Sequence, residues 1–257
     1  MFDYFKNIAE KNSCQSIGVC SVHPSINSLY EILLAQLRDI SYYLVKLKEF
    51  GFLNENIMNV VLEALSAFLI NTNFNQNKYL SLIKKLQNIK EETKEKYMNY
   101  CSSHKFPYEI INCDLKINDN TTISELINYS QNSLMNKQKD CDRKKQRLFE
   151  LITLQAKLCA IKITKIKKLD ESYNEFDYEV IRFFALTNGY SIRDEKIIRR
   201  IKEFSYINTA IQEKLDLIYK EKYGNKENAS IQISPQKGHS ILVSGDDLDE
   251  LELVLKT

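Results

Sequence analysis

Cys14 and Cys20 stand six positions apart in SCQSIGVCSVHPSINSL, and a pair of thiolates is the donor type that soft metals and iron–sulfur clusters take. On residue types alone the pair is either half of a metal site or two ordinary thiols. The other cysteines are scattered at 101, 113, 141 and 159. Cys101 and Cys113 bracket a loop that holds His104, but eleven intervening residues fit no closed zinc knuckle. Cys159 falls in an apolar stripe, where a thiol packs as a small hydrophobe. His23 precedes Pro24 at a helix start and reads as a surface or capping residue. No Glu-x-x-His pair, Gly-x-Ser-x-Gly elbow or phosphate-binding loop occurs, which argues against di-iron carboxylate, serine-hydrolase and nucleoside-triphosphatase chemistry. The basic cluster RKKQR at 143–147 opens a helical stretch and reads as a solvated face.

The elements that must position these residues are helices. Residues 25–50 repeat Leu29, Ile32, Leu33, Leu37, Ile40, Leu44 and Leu47 at three-four spacing, one stripe of an amphipathic helix, and Gly51 stops it. A second helix is predicted over 56–70 and a third over 79–100. The pattern lapses over 102–122, around Pro107 and an NDNTT cluster. It returns at 123–135, strongly at 143–169, and again at 175–187, 194–203 and 205–221. The long stretches 25–50 and 143–169 share length and stripe, and each leads into a shorter helix. Two related helical hairpins are therefore expected, packed antiparallel into a bundle that forms a domain over 1–221. Residues 222–239 are turn-rich. SILVS at 240–244 predicts a strand, Gly245 a turn and DDLDELELVLKT a helix, with Asp246 and Asp247 near its positive end. This is the beginning of an α/β domain, so 222–257 is expected to be a linker plus the first strand and helix of an incomplete one. The fold class expected is mainly α.

Composition agrees. Six glycines and three prolines in 257 residues leave few tight turns. Thirty-six Lys and Arg against 34 Asp and Glu give no global field for nucleic acid. No apolar run reaches the ~18 residues of a membrane span. Without a secretion signal, the cysteines point to a reducing, cytoplasmic setting.

Four stretches carry a family resemblance. SCQSIGVCSVHPSINSLYEILLAQLRDISYYLVKLKEFG, NTNFN at 71–75, KYGNKENASIQI and KGHSILVSGDDLDELELVLKT resemble, in that order, the N-terminal part of the hybrid cluster proteins, also called prismane proteins or hydroxylamine reductases. The resemblance implies reduction of hydroxylamine or nitric oxide by iron–sulfur centres. It implies that four N-terminal cysteines hold a 4Fe-4S cluster. Cys14 and Cys20 match the second pair, while Asp3 and Lys6 stand where the first pair belongs. An ammonium is a poor ligand and a carboxylate a mediocre one for iron in a sulfide cluster. The metal site is thus expected to be a residual half. The family's hybrid cluster takes ligands from later domains, beyond Thr257, so none is expected here. The chain is expected to be a shortened member, inactive alone. The alternatives are a non-catalytic helical interaction module, or an electron-transfer protein with a 4Fe-4S cluster shared across a homodimer. The partner expected is a second copy or a full-length paralogue, with no nucleic acid and no membrane.

Overall fold

The computed structural model describes residues 24–67, 75–111, 117–134, 142–188, 191–225, 230, 237–239, 241, 243, 245 and 248–256. Contacts divide the chain into two compact units, Met1–Tyr223 and Gly224–Thr257. Among the described residues every regular element is helical, so the mainly-α expectation holds.

In the first unit, α1 (Pro24–Glu49) starts with proline at its first position, where the missing N–H costs nothing. It ends in a Schellman turn. Gly51 takes φ 86, its N–H bonds Lys48 O at 2.9 Å, and Phe52 N–H bonds Leu47 O at 3.0 Å. Then follow α2 (Glu55–Ala67) and α3 (Gln76–His104). Asn75 caps α3, its Oδ1 accepting from Asn77 N at 3.0 Å. α4 (Ile123–Tyr129) opens on a reciprocal capping box between Thr122 and Glu125 and runs into a π-helical turn, Ser130–Leu134. α5 (Arg143–Leu169) is capped by Asp142. α6 (Asp177–Ala185) continues into a 3-10 turn, Leu186–Asn188. α7 (Asp194–Tyr223) runs unbroken for 30 residues. The expected break near 204 does not occur: no Gly or Pro interrupts it, and Ser205 Oγ donates back to Lys202 O at 2.6 Å within the helix.

The long–short–long order α1, α2, α3 recurs as α5, α6, α7. Within each half the two long helices run parallel. Gln76 Nε2 donates to Ser25 Oγ at 2.8 Å near both helix starts, Gln36 meets Ile83 and Gln87 further along, and Tyr43 meets Tyr97 further still. In the second half Lys144 reaches Asp194 at 3.2 Å near the starts, and Lys162 reaches Asn208 at 2.8 Å further along. The short helix between the long ones makes the return journey, so the next long helix repeats the direction of the first. The halves also exchange short helices: α2 packs mainly on α5, and α6 packs on α1 as well as α5. One continuous core results. Leu29, Leu33, Leu37 and Ile40 from α1 share it with Val61 and Leu65 from α2, and with Ile152, Cys159 and Ile163 from α5. Each such fully buried aliphatic side chain contributes ~2 kcal/mol from area removed from water.

In the second unit, α8 (Leu248–Lys256) is the described element and buries no residue. Of the strand expected over 240–244, Ile241 and Val243 are described, and neither lies in a strand; residues 240, 242 and 244 lie outside the described residues.

Candidate metal segment and its helical support

Cys14 and Cys20, with Asp3 and Lys6, lie outside the described residues, as do His23, Cys113 and Cys141. What is described is the support that follows. α1 begins four residues after Cys20, and its first turn is held to the first turn of α3 by the Gln76–Ser25 bond. Two parallel helix starts therefore lie side by side next to the point where the cysteine segment enters. Their N–H groups and dipoles favour negative charge there.

Cys101 is buried with Tyr43, Leu47 and Tyr97. Cys159 is buried in the core, where burial pushes its thiol up to about 12, and its Sγ lies 3.4 Å from Asn208 Oδ1. Cys159 is therefore not a thiolate at neutral pH in these surroundings. His104 stacks on Tyr100 with ring centroids 4.1 Å apart, and its Nδ1 lies 3.0 Å from Tyr100 O. Cys101 and His104 are thus engaged separately, one inside and one outside the helix pair. Among the described residues no group of three His, Cys, Asp or Glu side chains is arranged to hold a metal. The RKKQR cluster does more than face solvent: Lys144 and Lys145 both reach Asp194 and tie the starts of α5 and α7.

Four buried charged residues, Asp39, Lys90, Lys157 and Asp177, escaped the sequence reading. Lys167 on α5 bonds both Asp177 at the start of α6 and Asn59 on α2, joining three helices through one ammonium. Burial raises the Asp177 carboxyl against the pull of that ammonium. Lys157 is buried on the face of Tyr30, its Nζ 4.1 Å from the ring centroid, and desolvation brings its amine down to about 7. Asp39 is buried between α1 and α3. The signal available was register: Asp39 and Lys157 fall among the apolar stripe positions of their helices, where a charged residue is out of pattern.

The Prismane/CO dehydrogenase family model matches residues 7–257. The chain belongs to that family. A hydroxylamine reductase of Thermosipho melanesiensis is 24% identical over 265 aligned residues, which cover 100% of this chain and 47% of the relative. The chain therefore spans about half the length of the curated relative it matches. The family membership agrees with the resemblance read from the cysteine segment and the later stretches, and it implies iron–sulfur centres in the whole proteins of the family. Cys14 and Cys20 lie within the matched residues, and Asp3 and Lys6 precede them. No helix among the described residues is long and apolar enough to cross a membrane.

Proposed function

We propose that this chain is the helical part of a hydroxylamine-reductase-like protein, and that Cys14 and Cys20 are the remaining half of its N-terminal iron–sulfur site. The observation that carries this reading is the family match over residues 7–257, joined to a relative named hydroxylamine reductase that aligns with the entire chain. On this reading the domains are 1–221, a helical support, and 222–257, the opening of an α/β domain. Lys6 offers no lone pair while protonated, so the 257-residue polypeptide binds no complete 4Fe-4S cluster and does not reduce hydroxylamine on its own. Its role is then to support or contact a partner chain, a second copy or a longer paralogue.

Anaerobic purification followed by iron and sulfide analysis, visible absorption and hydroxylamine turnover with a chemical electron donor tests this. The expected protein is colourless and inactive. About one cubane per dimer would instead establish a cluster shared between two chains. Turnover by the pure polypeptide would refute the proposal. Asp3→Cys with Lys6→Cys is expected to recover a brown, oxygen-sensitive cluster on anaerobic reconstitution. A colourless double variant would mean that these two positions are not the missing corners.

A further inference from the structure

We propose that Asp39 is a proton-operated latch between α1 and α3: neutral, it completes the buried polar seam joining the two helices, and ionised, it weakens that seam. Four polar side chains line the seam, Gln36 and Asp39 from α1 and Gln87 and Lys90 from α3, and each is more than nine-tenths buried. Gln36 Nε2 donates to Ile83 O and to Gln87 Oε1, both at 3.1 Å. Gln36 Oε1 is buried without a hydrogen-bond partner. The seam therefore holds a spare acceptor one helical turn from Asp39, on the same face of α1. A protonated carboxyl brings an O–H donor into such a setting, whereas a carboxylate brings only further acceptors.

The charges around Asp39 do not compensate its ionised form. Lys90, Lys94 and Glu91 face it from α3, and Arg38 lies beside it on α1. Both lysines are drawn to Glu91, at 3.9 and 3.6 Å, and Gln87 Nε2 also donates to Glu91 at 2.9 Å. Among the described residues no cation reaches ion-pair distance of Asp39, and no hydrogen bond to its carboxyl is formed. The other elements packed on α1 hold Glu55 and Glu63 on α2, Glu125 on α4, and Asp177, Glu179 and Arg182 on α6. Of these, Asp177 is tied to Lys167, Glu179 to Arg182 and Glu125 to Thr122. The 3-10 turn Leu186–Asn188 has no charge. Burial accordingly drives the Asp39 carboxyl up to about 6, with the cations offsetting it only in part. The folded protein then binds a proton that the unfolded chain releases near 3.8, so the stabilisation is complete below that value and is lost as pH rises through about 6. The same α1 leads from the cysteine segment, so its hold on α3 is tighter at pH 5 than at pH 7.5. The latch stands apart from any metal chemistry.

The test compares the unmodified chain with Asp39→Asn in urea denaturation at pH 5.0 and 7.5, together with carbon NMR titration of the Asp39 carboxyl in the unmodified protein. Moving from the lower to the higher pH, the unfolding constant of the unmodified chain is expected to rise relative to that of Asp39→Asn by a factor on the order of ten. The carboxyl is expected to titrate near 6, and Lys90→Met is expected to move that midpoint higher. A titration near or below 4 overturns the latch. A ratio constant within about threefold, or one that changes in the opposite direction, also overturns it. If Asp39→Asn does not fold, the midpoint and its response to Lys90→Met decide, and a midpoint indifferent to Lys90→Met removes the link to α3.

Discussion

Lys157 shows how much a single misplaced charge matters. Its ammonium faces the Tyr30 ring from inside the core, and desolvation brings its amine to about 7 from 10.5. The unfolded chain binds this proton more tightly, so Lys157 destabilises the fold when charged, and stability rises as pH rises from about 7 towards 10.5. Lys157→Met keeps the stem volume and removes the charge. It is expected to stabilise the protein at pH 7 by roughly 1–3 kcal/mol, and to flatten the alkaline rise, both read from urea denaturation at pH 7 and 9.5. Loss of stability on this substitution would mean that the cation–π contact outweighs desolvation. Lys105 presents a different residue-scale cost. It takes φ 55 to close the Schellman turn that ends α3, a conformation that strains a side chain with a Cβ. Lys105→Gly is expected to add roughly 0.5–1 kcal/mol, seen as an upward shift in Tm, because glycine enters that region without the clash.

Packing between elements turns on Lys167. One ammonium at the end of α5 satisfies Asp177 on α6 and Asn59 on α2, so three helices from both halves meet at one polar point inside apolar packing. Removing one member of a buried pair leaves the other charge unpaired. Asp177→Ala is therefore expected to cost about 3 kcal/mol in urea denaturation. Lys167→Met with Asp177→Leu is expected to recover most of that loss, since hydrophobic isosteres remove both desolvation costs. A double variant as unstable as the single one would show that the pair orients α6 rather than merely neutralising it. The parallel pairing of α1 with α3, and of α5 with α7, belongs to this scale too. A short helix between two long ones provides the return path, and a stripe on each long helix buries against its neighbour.

Across the molecule, burial is unevenly shared. The helical unit up to Tyr223 holds the continuous core, whereas α8 buries nothing and leaves Leu253, Val254 and Leu255 exposed. An element without buried apolar area has little to contribute to cooperative stability. Deleting 224–257 is accordingly expected to leave the urea midpoint of the helical unit within about 0.5 kcal/mol of the full chain. A larger loss would reveal that the second unit supports the first.

The hydrophobic stripes at 25–50 and 143–169 and the Gly51 stop were legible in residue order, because helix periodicity and end chemistry are local properties. Cys14 and Cys20 are visible as thiol donors in residue order, while their arrangement lies outside the described residues. The family could be read from the cysteine segment and the order of the later stretches. Tertiary structure alone decided that the long helices run parallel, that the short helices cross between halves, and that 194–223 is one helix rather than two. It also decided which charges went inside. Register flags Asp39 and Lys157 as out of pattern, but what the opposing helix places against them sets how far each is desolvated. Desolvation depends on that opposing surface, which is assembled from residues distant in sequence, so no local pattern carries its magnitude.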